Sequence, residues 1–134
     1  MAYERTYEHL YQPLRWTYGL IPLLAGLDKF FNLLADWPGY ISPALQSVLP
    51  VAPSTFMHAV GVIEIAVGVL ILTRWVREGA WLACGWLVLI AVNLVIAGHL
   101  DVAVRDLAMA VGAYTLAGLA SARQEVPAAV PSTA

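Results

Sequence analysis

The sequence predicts an all-α integral membrane protein, a bundle of four transmembrane helices with both termini in the cytoplasm. Three observations carry this. Of the 134 residues, 60% are hydrophobic and only 12% are charged, about half the charged share of a soluble domain. The apolar residues gather in long blocks. The most continuous, Phe56 to Leu72 (FMHAVGVIEIAVGVLIL), is just long enough to cross a bilayer when continued through Thr73. Finally, Arg5, Arg15, Arg74, Arg77 and Arg123 all fall on one side of the alternating spans, which the positive-inside rule makes cytoplasmic.

The totals also exclude whole classes. A net charge of −2 and a pI near 5.8 give no basic surface for nucleic acid. The single cysteine, Cys84, rules out an intrachain disulfide, a CxxC exchange motif and a thiolate zinc site.

Taken in order, residues 1–15 do not read as a signal peptide, because no apolar core follows a basic start. Tyr3, Tyr7, Leu10, Tyr11 and Leu14 recur at helical spacing with Glu4, Arg5, Glu8 and Arg15 between them. This is an amphipathic strip suited to the cytoplasmic membrane surface or to docking a partner. The four-helix membrane domain then occupies residues 16–122. Its first span, about Trp16 to Leu34, carries Gly19 and Gly26 on one face for close packing, with Pro22 as a bend. Residues 36–55 contain four prolines and the interfacial pair Trp37 and Tyr40. They read as an outward-facing lid, with Ser42 and Pro43 as N-cap and first position of a short helix ending near Leu49.

The second span is Phe56 to Thr73, and the third, about Gly79 to Gly98, contains Asn93 and ends at His99. The fourth runs from about Val102 to Ala122, with Asp101 placed to cap it and Ala108 and Gly112 offering a small-residue packing face. Residues 123–134 read as a disordered tail, rich in small residues and proline.

Polar residues inside the spans form a layer. At 1.5 Å per residue, Lys29 lies roughly 9 Å from the outer end of span one, with Asp28 one residue deeper. Glu64 lies about 13 Å, Asn93 about 9 Å and Asp106 about 7 Å below the same surface, with His58, His99 and Arg105 around the mouth. A carboxylate at that depth is costly enough to need a partner or a task. The layer therefore predicts a polar pocket in the outer leaflet, roofed by residues 36–55, with Lys29 or Arg105 neutralising Glu64. Adjacent residues on a helix point about 100° apart, so Asp28 and Lys29 cannot both face one partner squarely, nor can Arg105 and Asp106.

Two roles fit these charges: pairs that hold four helices in register, or a ligand- and proton-handling site. On the second, Glu64 and Asp106 are the candidate catalytic groups, and Lys29, Glu64, Asn93, Arg105, Asp106, His58 and His99 the candidate ligand-binding residues. His58 and His99, at similar depth on consecutive antiparallel helices, also suit bis-histidine haem or copper, although no cysteine ligand or histidine-rich pattern accompanies them. No metal site is otherwise expected.

The run GLDKFF (Gly26 to Phe31), then WPGY, then GVIEIAVGVLIL with its embedded glutamate, followed by two short-looped helices, resembles the DoxX-like family. The resemblance covers about Trp16 to Ala122, and Lys29 and Glu64 carry it best. It implies a compact four-helix bundle in the bacterial cytoplasmic membrane, embedded in lipid and joined to other membrane subunits or to further copies of itself. Some members of the family are subunits of thiosulfate:quinone oxidoreductases, and others accompany redox enzymes. The expected function is thus a non-catalytic or quinone-linked small subunit of a membrane redox complex, with a quinone as the expected cofactor. The alternatives are a stand-alone subunit of the thiosulfate:quinone type, or a small cytochrome using His58 and His99, which an absorbance spectrum would reveal.

Overall fold

The computed structural model describes residues 2–125. The chain runs through a long helix α1 (Ala2–Asp28), a 3₁₀ turn (Trp37–Tyr40) and a short helix α2 (Pro43–Val48). Three further helices complete it: α3 (Pro53–Leu72), α4 (Val76–Ala97) and α5 (Leu100–Glu125). There is no strand among the described residues. Helices α3, α4 and α5 are long and apolar enough to cross a membrane. Their outward faces are apolar: Val62, Leu89, Ile96 and Val111 are all more than half exposed, as lipid rather than water as solvent would require.

Helix α1 differs from expectation at both ends. The amphipathic strip and the first span form one unbroken helix, because Pro13 and Pro22 are both accommodated inside it. The helix also stops at Asp28, six residues short of Leu34. Phe31 N and Asn32 N fold back onto the Asp28 carbonyl, and Asn32 takes a left-handed conformation at φ 52°, a position asparagine tolerates. The second span begins at Pro53 rather than Phe56, with proline in the first turn. Helix α5 begins at Leu100, so Asp101 lies in its first turn and not at its cap. Arg123 to Glu125 continue α5; the rest of the expected tail, 126–134, lies outside the described residues.

The four long helices pack as two intimate pairs, α1 with α3 and α4 with α5, joined by a lighter α3–α4 contact. Reciprocal glycines bring α1 and α3 together. A β-carbon on Gly26 would stand 2.6 Å from the Gly61 carbonyl, and one on Gly68 would stand 2.6 Å from the Gly19 carbonyl. The α4–α5 seam is alanine: Ala80, Ala83, Ala110, Ala113, Ala117 and Ala120 are all buried. Small side chains allow such backbone approach. Of the expected packing face on the fourth span, Ala108 is exposed, whereas Gly112 packs against the ring of Tyr18 from α1.

At one end of the bundle the chain reversals are tied by arginine. Arg15 donates to the carbonyls of Ile71 (3.1 Å), Leu72 (2.8 Å) and Thr73 (3.0 Å), closing the end of α3. Arg123 pairs with Glu8 and Arg77 donates to Gln124. The opposite end is roofed by residues 36–52, where Ser42 Oγ caps α2 by accepting from Leu45 N and Leu49 ends it, as the sequence predicts.

Candidate functional site

The site begins with an accident of helix termination. Because α1 ends at Asp28, Lys29 lies just past the last turn, and its side chain runs inward to α3. Its ammonium lies 2.6 Å from Glu64 Oε2, with both side chains almost wholly buried (4% and 10% exposed). Gly61, one turn from Glu64 on the same side of α3, gives the room, since its missing β-carbon would sit 3.2 Å from Lys29 Cβ. Of the two cations that might neutralise Glu64, Lys29 does so. Arg105 is exposed and makes no ion pair among the described residues.

One indole from the roof serves both adjacent charges. Trp37 Nε1 donates to Asp28 Oδ2 at 2.8 Å, while the face of the same ring lies 3.7 Å from the Lys29 ammonium. A cation over an indole face is attracted by the ring quadrupole. The Asp28 carboxylate also accepts from Leu33 N (3.0 Å) and Leu34 N (2.9 Å), and so shapes the turn that follows α1. Asp28 and Lys29 thus face different partners, as their angular separation requires.

Asn93 is committed to the roof rather than to the ion pair. Its Oδ1 accepts from Ser42 N at 3.0 Å and its Nδ2 donates to the Tyr40 carbonyl at 2.8 Å. Asp106 is half-buried on α5, within electrostatic range of both Glu64 and Lys29, and makes no hydrogen bond among the described residues. Beside Glu64 stands Trp86 of α4. Its Nε1 is buried close to the Glu64 carboxylate and makes no other hydrogen bond among the described residues. The histidines attach to different rings: His58 stacks on Phe30 (centroids 4.8 Å apart), and His99 meets Tyr40 edge-on (5.2 Å).

The structure therefore pairs Lys29 with Glu64, leaves Asp106 within electrostatic range of both, assigns Asn93 to the lid, and leaves Arg105 outside. Sequence reasoning takes Trp37 for an interfacial residue and does not single out Trp86 as a site residue, because neither hydropathy nor spacing marks an indole that meets charge. What the arrangement offers chemically is a closed, charge-balanced pair, flanked by the half-buried Asp106 carboxylate and by the Trp86 N–H close to Glu64. Alongside Trp86 an apolar groove of about 370 Å³ runs between α3 and α4, past Ile63, Val67, Leu70, Trp81 and Leu89.

Comparison with known proteins supports a family assignment. The DoxX family model matches residues 10–99, from Leu10 in α1 through the roof, α3 and α4. No curated protein and no solved structure matches the chain.

Proposed function

The chain belongs to the DoxX family of membrane proteins, and on that premise we propose that it is a four-span, non-catalytic subunit of a redox complex in the bacterial cytoplasmic membrane. The fourth span is the Trp16–Asp28 part of α1 together with the apolar turn that continues to Leu34, because thirteen helical residues alone reach only about 20 Å. It lies along α3 from the Gly19–Gly68 contact to the Gly26–Gly61 contact, so wherever α3 is immersed, this part of α1 is immersed too. The arginine-tied end is then cytoplasmic and the roof faces outward.

The observation that carries the non-catalytic reading is the saturated Lys29–Glu64 pair. Its ammonium already has a carboxylate and an indole face, and Asp28 and Asn93 spend their hydrogen bonds on the roof. Groups so committed lock α1, α3 and the roof into one piece. Around that piece Phe31 (69% exposed), Leu33 (84%), Leu34 (73%) and Val48 (74%) present an apolar rim suited to a neighbouring subunit.

The test compares Lys29→Met and Glu64→Leu singly and together. Removing one member of a buried pair strands a charge, whereas replacing both by apolar groups is often neutral. Each single variant should lose complex assembly, measured by native mass after mild detergent extraction, and the double variant should recover it with normal turnover. A double variant that assembles fully yet leaves the complex inactive would overturn the non-catalytic reading.

A second reading, quinone binding, is favoured by the apolar α3–α4 groove that Trp86 lines and by Asp106, which makes no ion pair among the described residues. A quinone headgroup would accept from Trp86 and exchange protons with Asp106, with its tail in the α3–α4 groove. Titration with a quinone analogue against Trp86→Phe and Asp106→Asn tests it; binding unchanged in both variants removes the site.

A further inference from the structure

At the end opposite the roof, a cavity of about 510 Å³ opens where the helix ends converge, lined among others by Arg15, Thr73, Arg74, Val76, Arg123 and Gln124. From the cavity's composition and its place in the bundle, we infer that it binds the phosphate group of an anionic phospholipid headgroup.

Three guanidinium groups face one space, and their charge is only partly spent. Arg15 uses Nε and Nη2 on the carbonyls closing α3, leaving Nη1 without a hydrogen bond among the described residues. Arg123 has Glu8 at 3.3 Å and the Tyr11 ring at 4.9 Å. Arg74 has no carboxylate within ion-pair distance among the described residues and touches only the face of Trp75, at 5.3 Å. Among the described residues Glu8 is the carboxylate seen paired with one of these three arginines, and Glu78, four residues after Arg74, is paired with Arg77 at 3.5 Å.

The start of α4 adds to the field. Trp75 stands at its N-cap without a side-chain hydrogen bond, and Val76, its first residue, lines the cavity. An uncapped helix start offers free backbone N–H groups and the positive end of the dipole to an anion. Guanidinium forks match phosphate oxygens in geometry as well as charge.

Position then selects the source of the phosphate. The cavity sits where α3 ends and α4 begins, which is headgroup depth for two helices long enough to span. Basic pockets between membrane helices at this depth hold anionic headgroups. Inorganic phosphate shares the recognising chemistry, and the experiment separates the two.

Full-length protein in mild detergent is mixed with phosphatidylglycerol, with phosphatidylcholine or with inorganic phosphate. Retained lipid is read by native mass spectrometry and thermal midpoint by light scattering. Phosphatidylglycerol should be retained in preference to phosphatidylcholine. Arg74→Gln and Arg123→Gln should each reduce retention about fivefold, the effect expected of roughly one basic residue near a charged headgroup. Glu8→Gln should raise retention by freeing Arg123, and Arg5→Gln, outside the cavity, should leave it unchanged. Displacement of phosphatidylglycerol by inorganic phosphate would keep the site and assign it a soluble anion. Equal retention of the two lipids, or retention undiminished in Arg74→Gln, would overturn the proposal; Arg74 makes no hydrogen bond among the described residues, so its loss does not confound folding.

Discussion

Lys29 meets Glu64 because it lies one residue beyond the last turn of α1. In a helix continued to Leu34, Asp28 and Lys29 would diverge by about 100° and one would face lipid. Termination at Asp28 frees the lysine to turn inward while the aspartate organises the turn. The sequence identifies Glu64 as a carboxylate needing a cation and names Lys29 among two choices. It does not reveal the helix end that decides between them, because Lys29 to Leu34 remain apolar enough to continue a span. Glu64→Gln should destabilise the protein by about 3–5 kcal/mol, as a stranded buried charge does, read as a drop in thermal midpoint. Asn93→Ala removes two neutral hydrogen bonds to the roof, costing about 2 kcal/mol. Its signature should be faster amide exchange at Tyr40 to Leu45 with α3 to α5 unchanged; uniform acceleration across the chain would contradict a role confined to the lid.

Among the helices, glycine content separates contacts that need it from positions that do not. A β-carbon at Gly61 meets the Gly26 carbonyl at 2.6 Å, and backbone cannot step aside as a flexible side chain would. Gly61→Ala should therefore cost about 1–3 kcal/mol by overpacking. Gly85 has nothing within 4 Å of the same construction. Gly85→Ala should be neutral or stabilise by up to about 1 kcal/mol, the helix propensity gained. A similar loss in both variants, measured by thermal unfolding in detergent, would show that propensity rather than contact governs. The seven-residue spacing of Gly19 and Gly26, and of Gly61 and Gly68, makes the α1–α3 contact readable in advance. The α4–α5 seam is not readable in this way. A helix apolar on every side has no preferred face, and alanines from 103 to 120 offer several equivalent stripes, of which Ala108 lies on the wrong one.

For the molecule as a whole, three helices are long and apolar enough to cross a membrane, and the proposed fourth span rests on how α1 lies against α3. Side-chain contacts gather Arg15, Arg77 and Arg123, three of the five arginines behind the expected orientation, at one end of the bundle. In a Cys84→Ala background, Arg5→Cys and Arg123→Cys should react with an impermeant maleimide only from the cytoplasmic side of membrane vesicles. Ser47→Cys should react only from the other side. Labelling of Arg5→Cys and Arg123→Cys from opposite faces would reduce the spans to three.

The link between Lys29 and Glu64 also has a consequence in time. The lysine leaves the ribosome thirty-five positions before its counter-ion, so the newborn first helix enters the translocon with an unanswered charge. Its commitment to the lipid waits for the arrival of α3. Nascent chains stalled before Glu64 emerges should leave the first helix open to protease, whereas chains stalled well past Thr73 should protect it.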